Sequence, residues 1–337
     1  MASIAGTDMT SNAEAPPVVG SARGSRGTLI ALSAVALILA VVPYVIDERF
    51  GYHIAIMVCF AAIGASSLHL IIRTGHVSLC HSAFVGVGAY ASANAVMKLN
   101  LPFVGGLLAG TLASASLALV IGPIILRLTG KYFVLITFLL GEILRMVFVD
   151  WIAVTGGANG MTGIPAPAPA FADPKAFYIL ALAAAIFCIA VCARILSSEI
   201  GRFVNAIRES EQLAECVGVP VIRTKILMFV IACAFAGFAG SLLAHYGRYI
   251  SPPNFGPIES LNLVIMNVIG GMNTLIGPLI GAFFLVLVPE LLRGYVQLQH
   301  VIFGIMLIVV MAFMPGGMAG LGDVLASLTR RFGKRAL

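Results

Sequence analysis

Residues 197–225 read SSEIGRFVNAIRESEQLAECVGVPVIRTK, a polar segment in a chain that is otherwise strongly apolar. Eight of the 20 basic and 14 acidic residues fall within these 29 positions, and long apolar runs flank the segment on both sides. Charged side chains are costly inside a lipid bilayer. The pattern therefore predicts a set of membrane-spanning helices with one compact excursion into water.

The first half of this segment has the spacing of an amphipathic helix. Apolar residues recur there at intervals of three and four, which places them in one stripe: Ile200, Phe203, Val204 and Ile207. Polar residues occupy the other side: Arg202, Asn205, Arg208 and Glu209. This pattern fits both an interfacial loop with a solvated charged face and a docking element for a soluble partner.

The second half predicts another short helix with recognisable ends. Ser210 can cap its first turn, where Glu211 is favourable because of the helix dipole. Gly218 suits the position just past the helix, and Pro220 prevents continuation. The whole segment is therefore predicted to be a helix–turn–helix unit.

The composition of the chain predicts an all-α polytopic membrane protein. Of its 337 residues, 60% are hydrophobic and 10% are charged, and the mean hydropathy is +1.04. Soluble domains carry roughly 25% charged residues. The apolar runs are about 20 residues long, the length of a spanning helix rather than of a barrel strand.

We predict nine or ten transmembrane segments, some of them short or broken. They cover approximately these ranges: 28–46, 51–72, 78–97, 103–127, 132–151, 175–196, 224–246, 259–271, 276–293 and 300–314. Residues 1–27 are predicted to be a disordered cytosolic tail, 28–316 a transmembrane domain, and 317–337 a cytosolic C-terminal tail.

The distribution of basic residues predicts the orientation. With the N-terminus inside, fourteen Lys and Arg residues fall in inner loops and tails and five fall in outer loops. Inner loops of membrane proteins carry such an excess. Both termini and the polar segment are therefore predicted to be cytoplasmic, and the net charge of +6 does not require a nucleic-acid partner.

Two stretches interrupt the apolar pattern. Residues 75–90 read GHVSLCHSAFVGVGAY and contain Ser78, His81 and Ser82, our candidates for a translocation path. Broken helices often line substrate paths in transporters. The alternative is a tight helix contact through Gly86 and Gly88.

The second interruption, residues 270–282, reads GGMNTLIGPLIGA and suits a turn between two short membrane segments. Glu142 and Arg145 lie within another apolar run, three residues apart, so they can pair on one helix face. This pattern favours a purely structural ion pair, and the alternative is a gate or an ion-coupling site.

Several classes of chemistry are not predicted. The six cysteines are scattered, five of them in apolar runs, and we interpret them as small apolar residues. The chain contains no GxxxxGK[ST], HExxH or GxSxG motif and no cluster of catalytic residues. We therefore expect no enzyme activity, no metal and no cofactor.

Seven motifs together resemble the permease subunit of bacterial branched-chain amino acid ABC importers, from about residue 60 to 321. They are GHVSLCHSAFVGVGAY (75–90), KYFVLITFLLGEILR (131–145), TGGANGMTGIP (155–165), GRFVNAIRESEQLAECVGV (201–219), AGFAGSLLAHYGRYISP (236–252), GGMNTLIGPLIGA (270–282) and PELLR (289–293).

This resemblance implies a multi-subunit importer in the bacterial inner membrane, surrounded by lipid. Its other parts would be a second, homologous permease, two cytosolic ABC ATPases and a periplasmic substrate-binding protein. The polar segment would be the element that couples to an ATPase, with these residues involved: Arg202, Phe203, Ile207, Arg208, Glu209, Glu211 and Gly218.

The sequence departs from the family pattern at its two breaks. His76 and Cys80 replace the usual Gln and Gly, Asn273 replaces a Gly, and Asn267 stands where an apolar residue is usual. If the breaks line the path, Asn267 and Asn273 add polarity to it, which would fit an importer of urea or short amides. A self-contained secondary transporter that uses Glu142 and Arg145 for ion coupling is a further alternative, and it would need no ATPase.

Overall fold

The computed structural model describes residues 49–168, 171 and 173–291, together with positions 302, 304, 305, 308, 317 and 318. Its helices are α1 (Arg49–Arg73), α2 (His81–Leu99), α3 (Phe103–Ile125), α4 (Gly130–Asp150), α5 (Ile152–Thr155), α6 (Pro174–Leu196), α7 (Glu199–Glu209), α8 (Glu211–Cys216), α9 (Val221–Gly247), α10 (Pro257–Gly270) and α11 (Ile276–Leu291). Two short strands, β1 (Met161–Thr162) and β2 (Tyr249–Ile250), form an antiparallel pair.

Among the described residues, five helices are long and apolar enough to cross a membrane: α1 from Phe50, α3, α4, α6 and α9. The helix α2 has 19 residues, is rich in small and polar side chains, and packs within the bundle. The all-α polytopic fold is therefore confirmed. The predicted span 28–46 and the tail 1–27 lie outside the described residues, as does most of the span 300–314 and of the tail 317–337.

The centre of the bundle is formed by α1, α2, α3 and α9, which approach closely at small residues. A Cβ atom added to Gly88 would overlap the backbone of Gly237 on α9. The Ser114 hydroxyl on α3 donates a hydrogen bond to the carbonyl of Phe84 at 2.9 Å. Small-residue contacts of this type replace the hydrophobic driving force that is missing between helices in lipid.

The chain between α9 and α11 is broken rather than continuous. After α9 the backbone turns at Arg248, pairs through β2 with β1, and enters a 3₁₀ turn at Pro252–Phe255 before α10 begins. The 14 residues of α10 span about 21 Å, less than the roughly 30 Å of a bilayer core. The predicted crossing at 259–271 is thus a short helix of about two-thirds of that thickness.

The long connection after α4 is ordered as far as it is described. Thr155 ends the short helix α5 and donates its hydroxyl proton to the carbonyl of Phe148 at 2.6 Å. Gly156, Gly157 and Gly160 have positive φ angles, which only glycine adopts without strain. These turns bring β1 back to β2, so the connection closes over one end of the bundle.

Candidate functional site

The polar segment forms two helices, α7 and α8, that project from the bundle end where α1 finishes and α9 begins. The Ser210 hydroxyl accepts a hydrogen bond from the backbone N–H of Leu213, so it caps α8 as predicted. Gly218 follows this helix with a φ of +84°, and Pro220 immediately precedes α9. We call α7 and α8 together the helical hairpin.

The hairpin has a small apolar core of its own. Ile207 of α7 packs with Ala214 of α8 and Val221 of α9, and it is almost fully buried. Val204, one turn earlier, is buried against the bundle. Half of the predicted apolar stripe therefore holds the hairpin together and attaches it to the bundle, so Ile207 is not available at the surface.

A buried ion pair fastens α8 to α9. The Lys225 ammonium lies 2.6 Å from a carboxylate oxygen of Glu211. The Lys225 side chain is 2% exposed, whereas the Glu211 side chain is 36% exposed. His76, in the turn between α1 and α2, is also buried here, and both its burial and the charge of Lys225 lower its pKa.

The hairpin exposes three apolar side chains. Leu213 and Val217, one helical turn apart on or just after α8, are 70% and 78% exposed, and Phe203 of α7 is partly exposed. We call these three residues the docking face. Helix α7 also carries exposed charged side chains, including Glu209 and the Arg202–Glu199 ion pair at 2.8 Å.

The hairpin is also hydrogen-bonded to the turn between α10 and α11. Arg208 of α7 donates to the side-chain oxygen of Asn273 at 2.9 Å. Arg73, the last residue of α1, donates to the Asn273 backbone carbonyl at 2.8 Å and to the side-chain oxygen of Asn205. Asn273 thus lies at the hairpin end of the bundle and links three separate elements.

The polar residues of the first break are buried in helix contacts. Ser82 donates to the carbonyl of Gly256 at 2.6 Å, and its backbone N–H donates to the hydroxyl of Ser260 at 2.9 Å. His81 lies 2.7 Å from the Ser67 hydroxyl, and Ser78 lies 3.2 Å from the Cys80 thiol. In this conformation these side chains hold the break against α1 and α10.

Asn267 has a similar environment. Its amide nitrogen donates to the carbonyls of Ala65 and Leu263 at 3.0 Å, and its oxygen lies 3.1 Å from the His69 ring. The side chain is fully buried. It joins α10 to α1 in the middle of the bundle.

Glu142 and Arg145 form an ion pair on α4. The Arg145 Nε atom lies 3.0 Å from each carboxylate oxygen. Unlike the residues of the first break, both side chains remain about a third exposed, at 31% and 30%. Both charged side chains are therefore accessible at the surface of α4.

The described residues contain no clear centre for metal chemistry. No three His, Cys, Asp or Glu side chains come together there as a metal site. All six cysteines are free thiols, and only Cys216 among them is exposed.

Two features of the site were missed by sequence reasoning. Leu213 and Val217 are apolar residues four apart between Glu211 and Gly218, a spacing that could have indicated a second exposed stripe. The burial of Lys225 had no such signal, because it depends on α8 folding back onto α9.

The fold and the site define a polytopic helical membrane protein with one short membrane helix, α10, and a protruding helical hairpin. Comparison with known sequences specifies the class: a family model described as branched-chain amino acid transport system / permease component matches residues 51–311. The chain belongs to this family.

Relatives with assigned names agree with this family. The high-affinity branched-chain amino acid transport system permease protein LivM of Salmonella typhimurium is 29% identical over 330 residues, which cover 90% of this chain and 77% of the relative. LivH of Escherichia coli K12, a permease protein of the same kind of system, is 30% identical over 129 residues, 38% of this chain and 42% of LivH. The autoinducer 2 import system permease protein LsrC of an Enterobacter species is 28% identical over 143 residues, 40% of this chain and 42% of LsrC. No solved structure matches the chain.

Proposed function

We propose that the chain is the transmembrane permease subunit of an ABC importer that carries branched-chain, hydrophobic amino acids across the bacterial inner membrane. It pairs with a second, homologous permease and receives substrate from a periplasmic binding protein. The chain itself catalyses no reaction, and two cytosolic ATPases supply the energy. The similarity to LivM over 90% of the chain supports this assignment.

The hairpin is the proposed contact for an ATPase, with both chain termini on the same, cytoplasmic side. The observation that carries this proposal is the docking face, because two of its three side chains are more than two-thirds exposed on a hairpin that lies between the predicted membrane spans. Apolar anchors at helical spacing bind into grooves on partner proteins, and charges at the rim orient the partner.

The attachments of the hairpin support a coupling role. Arg208 and Arg73 connect it to Asn273 in the turn between two membrane helices, and Glu211 connects it to Lys225 on a third. A displacement of the hairpin by a docked ATPase would therefore move α9 and the turn between α10 and α11 with it.

The test replaces one anchor with a charge: Val217→Glu. Interface anchors typically contribute more than 1 kcal/mol, so we expect about a fivefold or larger loss of affinity for the coexpressed ATPase subunits. Gln212→Glu is the matched control, because it adds the same charge to an exposed position of α8 without removing an apolar side chain. Co-purification and ATP-driven leucine uptake are measured for both variants.

Full ATPase binding by Val217→Glu and Leu213→Glu would contradict the docking assignment. Leucine uptake by the purified chain alone, driven by an ion gradient, would instead favour the secondary transporter. Ile207→Glu is unsuitable for this test, because a charge at this buried position would disrupt the hairpin itself.

A further inference from the structure

The ion pair on α4 lies at membrane depth. Glu142 is the thirteenth residue of α4, about 18 Å from the start of the helix and about 12 Å from its end at 1.5 Å per residue. The helix is one of the five that can span a membrane. Glu142 is therefore near the middle of the helix, and Arg145 is about 8 Å from its end.

The described part of the chain leaves this pair about one-third exposed. The buried side of α4 is formed by Phe133, Thr137, Gly141 and Phe148, which face the rest of the bundle. Each charge costs roughly 2.5–3.5 kcal/mol at the centre of a helix in lipid. A pair that stays one-third exposed is therefore expected to face protein or a water-containing path, and ionisable residues in such places usually serve a function.

Exposed apolar side chains continue this surface along the helix. Leu135, Phe138 and Met146 are all exposed and lie within about 40° of Glu142 around the helix axis. Together with Glu142 and Arg145 they form one line along the helix, which we call the α4 strip. It combines an acid, a base and apolar neighbours in one continuous surface.

The Arg145 side chain lies against the start of another helix. A Cβ atom built on Gly256 would lie 3.3 Å from the Arg145 side chain, so the Arg145 stem runs across this glycine. Gly256 directly precedes α10. The partial positive charge at the start of α10 is offset by Glu259 in its first turn, so the Arg145 guanidinium is the group that favours an anion at this point.

We propose that the α4 strip is a transit site for the zwitterionic head group of an aliphatic amino acid. Glu142 binds the ammonium group, Arg145 binds the carboxylate in a two-pronged contact, and Leu135, Phe138 and Met146 contact the aliphatic side chain. This inference rests on the proposed function and identifies the residues that handle its substrate.

The mutual ion pair makes such a transfer electrically balanced. Without substrate, Glu142 and Arg145 neutralise each other. When a zwitterion arrives, the Glu142–Arg145 contact is replaced by two contacts, one from Glu142 to the ammonium group and one from Arg145 to the carboxylate. No charge is then left unpaired in the low-dielectric region. A zwitterion on its own would have to lose its hydration with no replacement, which is costly.

The test is the double variant Glu142→Gln/Arg145→Gln in the complete importer, purified and reconstituted in lipid vesicles. Removing both charges also removes their insertion cost, so the variant should assemble. We expect leucine import per mole of assembled complex to fall about tenfold or more, because two charge-assisted contacts are lost. A purely structural pair predicts import at the wild-type rate, and that result would overturn the proposal.

A second measurement tests whether the strip faces water. Phe138→Cys should react with a water-soluble thiol reagent during transport, and leucine should slow this reaction. Val147→Cys is the control, because it is similarly exposed but lies about 140° around the helix from Glu142. It should be unreactive or insensitive to leucine.

If the α4 strip contacts the partner permease or lipid instead of substrate, the two measurements give different results. An unreactive Phe138→Cys combined with reduced assembly of the double variant would indicate a contact with the partner permease, and it would overturn the proposal. Unreactive cysteine with normal import would indicate lipid and would also overturn it. If the wild-type complex imports no leucine, the proposed function fails first and this inference falls with it.

Discussion

Glu211→Gln should loosen α8 from the bundle more than the corresponding change at Lys225. The substitution leaves the Lys225 ammonium, 2% exposed, without its carboxylate partner at 2.6 Å. In Lys225→Met the remaining charge belongs to Glu211, which is 36% exposed and can be hydrated. The two single variants therefore remove the same contact but leave very different groups unpaired.

The expected loss of local stability in Glu211→Gln lies between two limits. Breaking a fully buried ion pair costs about 3–5 kcal/mol, whereas an exposed pair contributes about 0–1 kcal/mol. Because one partner is buried and the other is one-third exposed, we expect Glu211→Gln to lower the local opening free energy of α8 by about 1–3 kcal/mol. Lys225→Met should cost less, since the added methionine packs without a charge.

Hydrogen exchange of the α8 amides measures this local opening. A decrease of about 1–3 kcal/mol in the free energy of opening corresponds to roughly 5- to 150-fold faster exchange, provided that the amides exchange through this local opening. The double variant Glu211→Gln/Lys225→Met should recover most of the protection, because no charge is left buried. Equal exchange in the two single variants, or unchanged exchange in Glu211→Gln, would refute this reasoning.

Two further predictions concern packing and pH. Gly88→Leu should prevent assembly of the folded bundle, because the leucine side chain would occupy the position of the Gly237 backbone. Size-exclusion chromatography of the purified variant measures this loss. The control is Val87→Leu, which changes the neighbouring half-buried position. His76 has a pKa lowered by burial and by Lys225, so its contribution to stability is complete above the unfolded pKa near 6.5 and is lost as the pH falls from there toward its folded value. His76→Asn should therefore lose less thermal stability than the wild type between pH 7.5 and 5.5, and an identical loss in both proteins would contradict the assignment.

Local signals in the sequence predicted the hairpin well. Ser210 caps α8, and Gly218 and Pro220 lie between α8 and α9 where expected. These signals act through hydrogen bonds and backbone angles of residues only a few positions apart. They do not depend on tertiary packing, so the sequence alone was sufficient for them.

The sequence did not predict which element packs against each helix face. Periodicity placed Phe203 and Ile207 in one stripe, yet Ile207 is buried and Phe203 is partly exposed. The difference arises because Ala214 and Val221, from the next two helices, cover only one end of the stripe. A repeat of 3.6 residues shows which side chains share a face, but not which other element packs on it.

The same limitation applies to the two breaks. Glycine, serine and histidine in residues 75–90 indicated a break, but the non-helical part is only the connection at 74–80, and from His81 the chain continues as the regular helix α2. Gly86 and Gly88 lie at close contacts of this helix. The hydrogen bonds of Ser82 to Gly256 and Ser260, however, join positions more than 170 residues apart. The short helix α10 had its own signals in Pro252, Pro253 and Pro257, which interrupt the apolar pattern where it begins.

The contacts of Asn273 have a thermodynamic consequence. Arg208 of the hairpin and Arg73 of α1 both bind this residue, so the position of the hairpin and the conformation of the turn between α10 and α11 are not independent. Linkage between two such sites is reciprocal: if a docked ATPase changes the affinity of the membrane region for substrate by some factor, bound substrate changes the affinity for the ATPase by the same factor. In a coupled importer the hairpin would therefore report the occupancy of the membrane region to the ATPase as well as transmit force from it.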